Sequence, residues 1–408
     1  MKNNVLSTNL ILRDCTGCSA CEIICPQKAI KIELTADGFY EPSINEAACN
    51  SCGLCTKICY KIDANIMMSS SSNVTTYSAI NKNIKELQTS TSGAVSIELM
   101  KVCLEKGYKV IGVAYDYDKN IAITKIACFV EELEKFKGSK YFQSYTVNAL
   151  FESLKDSSEQ KYAFFGTPCQ VYAVSKYLKL VNRKDKFILI DIFCHGCPSI
   201  NLWSKYLEYN FNRYSVTNFD KIDFRSKTYG WHEFSTTFHS NEVKFESSKI
   251  NDPFYTIFFD KNALNKACYE CKLRSTLAYT DIRLGDFWGA AYDLNTSGVS
   301  AVVLSTDRGK AFFNPAMKYF YIKEHELSEV IRFQSYGKKH VHNEKYWTYT
   351  LKLLASDLPM NEILKAYKKV YSINKKASIC LKNAVKRLPP KIVVRLKKYA
   401  HNKLRQGI

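Results

Sequence analysis

The chain has no uninterrupted apolar run of 18 residues; its best candidate, around Phe187 to Phe193, is short and broken by Asp191. No membrane-spanning helix is therefore expected. Met1 to Arg13 lacks the long apolar core and small-residue cleavage site of a secretory signal. No Gly-x-Gly-x-x-Gly follows a strand-like segment, so a Rossmann-type nicotinamide site is not indicated. Acidic residues are scarce as well: 39 Asp and Glu face 58 Lys and Arg, leaving a net charge of +19. Cysteine is the residue in excess. Sixteen of them without an export signal point to a reducing, cytoplasmic compartment, where thiols serve metals and redox chemistry rather than disulfides.

The spacing of eight of them is specific. Cys15, Cys18, Cys21 and Cys25 follow Cys-x2-Cys-x2-Cys-x3-Cys, and Cys49, Cys52, Cys55 and Cys59 repeat it, each displaced by 34 residues. Such a repeat is a duplicated half-site. Three thiolates on one tight loop cap three irons of a cubane, and the fourth cysteine ligates the other cubane in two-cluster ferredoxins. By that rule Cys15, Cys18, Cys21 and Cys59 hold one 4Fe-4S cluster, and Cys49, Cys52, Cys55 and Cys25 the other. The small residues Gly17, Ser19, Ala20 and Gly53 let backbone amides approach sulfur, where hydrogen bonds tune the potential. Pro26 follows the first quartet, whereas Tyr60 follows the second. Zinc suits the arrangement poorly, because it takes two separated Cys-x2-Cys pairs.

With 408 residues and 46% hydrophobic composition, the chain can bury a second, larger core. The expected fold class is α+β. Residues 1–68 form a two-cluster bacterial ferredoxin domain, residues 69–87 a polar linker that includes Ser70, Ser71 and Ser72, residues 88–358 a mixed α/β domain, and residues 359–408 a basic helical tail. Thr91 or Ser92 can cap a helix running to Gly107, with Val95, Leu99, Val102 and Cys103 at helical spacing. Short apolar runs at Val110 to Ala114, Ala163 to Phe165 and Ile188 to Phe193 read as buried strands.

Two of those strand ends carry chemistry. Gly166-Thr167-Pro168-Cys169 and Cys194-His195-Gly196-Cys197-Pro198-Ser199 fall where a strand hands over to a helix, the place where open α/β sheets bind ligands. A helix N-terminus favours thiolate there. Cys268-x2-Cys271 supplies a further pair, ahead of a strand at Ile282 to Leu284 that ends in Gly285-Asp286-Phe287-Trp288-Gly289. Any single one of these cysteines reads equally as an inert core thiol. Their joint placement at Gly and Pro turns argues for a shared role.

These motifs resemble the coenzyme F-420 hydrogenase/dehydrogenase beta-subunit family, in the bacterial version with an N-terminal two-cluster ferredoxin. The resemblance runs through Gly289 and rests on Thr91-Ser92-Gly93, Lys137-Gly138-Ser139-Lys140-Tyr141-Phe142-Gln143-Ser144, the Gly166 and Cys194 turns, Phe224-Arg225-Ser226-Lys227 with Gly230-Trp231, and Cys268 to Cys271 with Asp281 and Gly285 to Gly289. It departs from the family at Ala94, where a second glycine is usual. It implies a flavin/iron-sulfur oxidoreductase domain over residues 88–358, in two family parts that meet near residues 165–190, with FAD and a third 4Fe-4S cluster. The implied cofactor-binding residues are Ser92, Gly93, Gly138, Ser139, Lys140 and Gln143. Lys140 would set a positive charge near the flavin's anionic edge, although a solvated lysine reads the same. The third cluster would take Cys169, Cys194, Cys268 and Cys271, with Cys197 as rival for one place. His195 would shuttle a proton or stand behind a ligand, and Asp286 would face the site or bond local amides. Arg225, Lys227 and Trp231 would form a cationic, aromatic lip or an exposed strand end.

The positive charge is concentrated at the end of the chain. From Asn361 to Ile408 there are fourteen Lys and Arg against Glu362 alone. Ile363, Leu364, Tyr367, Val370, Leu381, Val385, Ile392, Val393, Leu396 and Tyr399 recur at roughly helical spacing, interrupted at Pro389 and Pro390. A basic amphipathic helix suits the inner face of a membrane or an acidic partner. No nucleic-acid motif accompanies the charge, and nucleic acid ranks last. Two function classes fit. One is a flavin-dependent iron-sulfur oxidoreductase acting on a small molecule, with bacterial relatives beside polysaccharide and cell-envelope biosynthesis genes. The other is an electron-transfer subunit serving a partner enzyme. The motifs select no substrate and do not establish use of the deazaflavin coenzyme.

Overall fold

Left-handed turns build the cysteine loops. Gly17 (φ 65°) and Ser19 (φ 67°) precede the helix Ala20–Ile24, and Ser51 (φ 59°) and Gly53 (φ 72°) precede the helix Leu54–Ile58. Each pair is related by the same 34 residues as the cysteines, so the sequence repeat is also a backbone repeat. Between the loops lie strands β1 (Ile30–Leu34) and β2 (Tyr40–Ile44), paired antiparallel from Ile30 with Ile44 to Leu34 with Tyr40. The computed structural model describes residues 3–7, 15–62, 66, 74–233, 235–247, 252–371, 373–386, 388, 392 and 396.

Among the described residues the rest of the chain supplies twelve strands: β3 (Thr75–Asn81), β4 (Tyr108–Asp116), β5 (Ile121–Ala127), β6 (Ser144–Tyr145), β7 (Lys161–Phe165), β8 (Phe187–Ile192), β9 (Lys221–Ser226), β10 (Ser235–Ser240), β11 (Val243–Glu246), β12 (Ile282–Asp286), β13 (Ser300–Leu304) and β14 (Phe320–Glu324). Nine of them form one mixed sheet in the order β14-β3-β13-β12-β8-β7-β4-β5-β6. Its centre, β12-β8-β7-β4, is parallel, and antiparallel strands flank it. A separate antiparallel sheet runs β11-β10-β9.

Alternation along β8 shows how the central strands are covered. Ile188 and Ile190 join one apolar cluster with Ala163 and Ile282, while Phe187 and Leu189 join another with Phe164 and Val171. A strand buried on both faces reads as a near-continuous apolar run, as parallel strands do. The second cluster also takes in Ile23, Ile24, Ile58 and Tyr60, so the N-terminal unit shares a core with the sheet. One polar pair is buried inside: Arg283 on β12 donates to Asp191 on β8 from Nε at 2.8 Å and from Nη2 at 2.5 Å.

Three expectations are corrected. Residues 75–81, inside the expected linker, form β3 between β13 and β14; positions 69–72 lie outside the described residues. The segment reads as polar because Thr76, Ser78 and Asn81 are buried and spend their side chains on hydrogen bonds, Ser78 to Tyr292 at 2.6 Å and Asn81 to Glu98 at 3.0 Å. The helix expected from Thr91 or Ser92 spans Val95–Glu105 with Ala94 at its cap position (φ 58°). Ser92 donates to the Val299 carbonyl instead, at 2.8 Å. Finally, the expected tail begins inside the core: the helix Met360–Lys369 buries Met360, Ile363 and Tyr367 against the helices Ile200–Tyr214 and Pro253–Asp260. Beyond it, the helix Ile373–Lys386 leaves Ile373 and Leu381 exposed. Pro389, Pro390, Val393 and Tyr399 lie outside the described residues. No helix among those described is long and apolar enough to cross a membrane.

Gly93 shows why the turn before Val95 needs its glycine. A Cβ there would stand 2.1 Å from the Ala79 carbonyl oxygen and 2.6 Å from the Ser300 nitrogen. Gly93→Ala should therefore cost about 1–3 kcal/mol, the range for overpacking a filled interior. A denaturant titration of the two proteins checks it, and an unchanged midpoint would show that β3 and β13 can part without cost.

Candidate functional site

Three groups of thiols occupy one side of the molecule. In the first, Cys15, Cys18, Cys21 and Cys59 act on one another electrostatically. Burial pushes Cys15, Cys18 and Cys21 above the ordinary thiol value and Cys59 up to about 11. In the second, Cys25, Cys49, Cys52 and Cys55 line a small cavity with Asn4, and Cys52 is exposed. In the third, Cys169, Cys194, Cys197, Cys268 and Cys271 converge from the ends of β7 and β8 and from the turn before β12. Cys169 also feels Cys18, so the first and third groups are neighbours.

The third group has the charge environment of an anion site. Cys194 is lowered to about 7, first by the Cys197 thiol that hydrogen-bonds to it and further by the Gly196 amide, Arg274 and Arg283. Burial raises Cys169, Cys271 and Cys268, the last up to about 12, while Cys197 is raised first by its hydrogen bond to Cys194 and then by burial. Backbone amides point at sulfur in every group: Gly17 at Cys15 (3.3 Å), Ala29 at Cys25 (3.3 Å), Gly196 at Cys194 (3.4 Å) and Cys197 at Cys268 (3.5 Å). Among the described residues no three Cys, His, Asp or Glu side chains converge on a single-ion position.

A cavity of about 470 Å³ opens at the carboxyl ends of β7, β8 and β12. Thr16 and Gly17, from the first thiol loop, form one wall, and Cys169, Cys194 and Cys197 another. Val95, Ser96 and Ile97 bring the first turn of an eleven-residue helix to it. Such a terminus favours anions.

The expected site residues divide by what they touch. Ser92, Gly138, Ser139, Lys140, Gln143, His195 and Asp286 line the cavity; Gly93 lies behind the wall, its amide donating to Ser300 Oγ. Lys140 donates from Nζ to the carbonyls of Lys137 (2.8 Å) and Lys135 (3.1 Å), and burial lowers it to about 7. Gln143 accepts from the Tyr40 amide at 2.9 Å and donates to the Thr16 carbonyl at 3.0 Å, seating the Cys15 loop on the cavity wall. His195 is held by Ser335 at 2.7 Å, and burial, with Lys261, lowers it to about 4, so it is neutral at pH 7. Asp286 accepts from Arg225 (2.6 Å) and Trp231 (2.7 Å).

The cationic, aromatic lip is corrected. Trp231 is buried and stacks on Trp288 at 4.9 Å, and Lys227 donates to the carbonyls of Leu87, Ser92 and Ser297, each at 2.6 Å. Only Arg225 of the three faces the cavity. The sequence reading missed Gln170, which lines the cavity, accepts from the Thr167 amide at 2.9 Å and donates to Ser144 at 3.0 Å. The Thr-x-x-Gln spacing at a helix start was the available signal.

Residues 159–330 match the family described as the C terminus of the coenzyme F420 hydrogenase/dehydrogenase beta subunit, and residues 14–61 match a 4Fe-4S dicluster domain. The F subunit of the F(420)H(2) dehydrogenase of Methanosarcina mazei is 22% identical over 316 residues, covering 74% of this chain and 81% of the relative. The beta subunit of the coenzyme F420 hydrogenase of Methanococcus voltae is 25% identical over 212 residues, covering 51% and 68%. A chain of the F420-reducing NiFe hydrogenase complex from Methanosarcina barkeri aligns with a TM-score of 0.45 at 17% identity, covering 76% of this chain and 97% of that one.

Gln143 connects the first thiol loop to the cavity wall through both ends of its carboxamide. Gln143→Ala leaves a buried amide and a carbonyl unpaired, a loss of about 1–3 kcal/mol. Hydrogen exchange should quicken around Thr16 and Tyr40 while Phe187 to Ile192 keep their protection. Equal quickening in both places would show a global loss instead of a loosened seat.

Proposed function

From the premise that residues 159–330 belong to the coenzyme F420 hydrogenase/dehydrogenase beta-subunit family and residues 14–61 to the 4Fe-4S dicluster domains, we infer that this iron-sulfur electron-transfer protein is a flavin-dependent oxidoreductase. The observation that carries the reading is the cavity's position, with the first thiol loop on one wall and the third thiol group on another.

The residues fit the groups assigned to them. Cys15, Cys18, Cys21 and Cys59 would hold one 4Fe-4S cluster, Cys25, Cys49, Cys52 and Cys55 a second, and four of the five inner cysteines a third, with Cys169, Cys194, Cys268 and Cys271 preferred. Amides aimed at sulfur are the donors such clusters require. The cavity volume falls within the roughly 300–1,000 Å³ typical of ligand sites. A flavin bound there would exchange hydride with a small molecule and single electrons with the clusters. The turn from Gly138 to Lys140 offers a cation to an anionic ring, and the helix that starts at Val95 offers amides to phosphate. His195, neutral and fixed by Ser335, would hold or pass a proton at its ring nitrogen.

An electron-transfer subunit serving a partner enzyme is the second reading, favoured by the relatives' names as subunits and by exposed Cys52 in the second thiol group. The exposed Ile373 and Leu381 on a lysine-rich helix suit contact with an acidic surface.

Anaerobic purification with iron, sulfide and flavin measured together separates these readings. About twelve irons with one flavin is expected for three cubanes and a flavin site, while about eight irons and no flavin would sink the enzyme reading.

Lys140 gives the site a pH dependence of known sign. Its folded value of about 7 makes the ammonium fully present below that pH and lost above it. Affinity for reduced, anionic flavin should therefore fall as pH rises through about 7. Lys140→Met should weaken binding about tenfold at pH 6, the equivalent of about 1.4 kcal/mol, and flatten the slope. A retained slope in the variant would overturn the assignment of the effect to Lys140.

A further inference from the structure

Tyr60 stands where the first repeat has proline, directly after Cys59. Its side chain is buried, and its hydroxyl has no hydrogen-bond partner among the described residues. An orphan hydroxyl in an interior costs its lost hydrogen bond to water, about 1–3 kcal/mol, and calls for an explanation. Beyond burial, the groups that act on it are sulfur: Cys271 first, which also lies within its hydrogen-bonding reach, then Cys169 and Cys268, and Cys169 and Cys271 pack against the same apolar cluster as the Tyr60 ring. The ring is fixed in place, edge-on to Tyr172 at 6.0 Å and with the Lys61 ammonium over its face at 5.6 Å. Tyr172 in turn meets Tyr279 edge-on at 5.5 Å, beside Arg283. One residue thus joins a thiol of the N-terminal quartets to the inner thiol group.

We propose that the Tyr60 hydroxyl is a hydrogen-bond donor to the Cys271 thiolate of the inner iron-sulfur cluster, a positioning residue supplied by the N-terminal unit that raises the potential of that cluster. The inference rests on the assignment of a third cluster to the inner cysteines. A free thiol is a weak acceptor, whereas a cluster-bound thiolate is an anionic one, which accounts for the missing partner among protein groups. Hydrogen bonds to cluster sulfur raise its reduction potential by stabilising the more negative, reduced form. A proline here would have no such donor, so the departure from the repeat falls at the position facing the inner group and leaves every ligand in place.

The test is a redox titration followed by electron paramagnetic resonance on the full-length, anaerobically purified protein, comparing wild type with Tyr60→Phe. Cys271→Ser identifies the inner cluster's signal. Tyr60→Phe should move that signal to a more negative midpoint, leave the other two unmoved and keep the iron content. Unmoved midpoints in a variant with about twelve irons would overturn this inference alone. About eight irons in the wild type would overturn the third-cluster assignment and the inference together. Should Tyr60→Phe lose iron, the wild type decides: protein prepared in deuterium oxide should show an exchangeable deuteron coupled to the inner signal, and its absence overturns the proposal.

Discussion

The guanidinium of Arg283 fixes the two strands on which the site depends. Buried in the sheet, it reaches from β12 to Asp191 on β8 through two hydrogen bonds and to the Tyr279 hydroxyl at 2.7 Å. The strands run parallel, with Ile190 opposite Ile282, and each ends at the cavity. Removing either partner of such a pair strands a charge in the interior, at about 3–5 kcal/mol. An apolar replacement of both could hold the strands as well. It could not supply the positive field that, with Arg274, helps hold Cys194 down toward thiolate. The ion pair therefore serves both the packing of the strands and the charge at the inner thiols.

The parallel strands set where everything else must go. Their carboxyl ends leave three turns pointing one way, and Gly166 to Cys169, Cys194 to Ser199 and Gly285 to Gly289 occupy them. The N-terminal unit closes the side of that opening by backbone and side-chain hydrogen bonds. Ile200 donates to the Gly38 carbonyl at 2.9 Å, Ser199 to that of Asp37 at 2.7 Å, and Thr146 to Ser19 at 2.7 Å. Gly38 is left-handed (φ 79°), and a Cβ on it would stand 2.5 Å from Ser199 Oγ, so the contact is close enough to demand glycine. Docked this way, the first thiol loop becomes part of the cavity wall. Proximity between thiol group and cavity follows from packing alone.

What the sequence shows and hides follows from the range of each signal. The cysteine repeat is local, and its backbone consequence, left-handed residues at 17, 19, 51 and 53, follows the same period. The strands expected at Val110, Ala163, Ile188 and Ile282 correspond to β4, β7, β8 and β12, because strands buried on both faces are predominantly apolar, broken here where Arg283 meets Asp191. β3 is hidden for the converse reason, since its buried face is polar and is satisfied by Tyr292, Glu98 and His325, which the sequence places far away. Gln143 meets Tyr40 across 103 residues, and no spacing rule anticipates that. Trp231 reads as a lip residue from its neighbours Arg225 and Lys227, and only the Trp288 ring shows that it is interior.

The cations around the cavity differ in kind. Arg225 is permanently charged and is committed to Asp286, so as a pair they add little net charge. Lys140 and Lys227 sit on backbone carbonyls, and burial lowers both to about 7. An arginine at either place would keep its proton whatever occupied the cavity. A lysine can give the proton up, which spares the protein the cost of an uncompensated buried charge. Ala94 shows a related compromise in the backbone: it holds a left-handed conformation (φ 58°) at the cavity edge. For a residue with a Cβ that conformation costs roughly 1–2 kcal/mol. The surrounding contacts of Gly93 and Ser92 with β3, β12 and β13 are what hold it there. The strain is thus carried by hydrogen bonds to interior strands of the sheet, and the cavity's shape on this side is inherited from the same sheet whose strands β7 and β8 lead into the thiols.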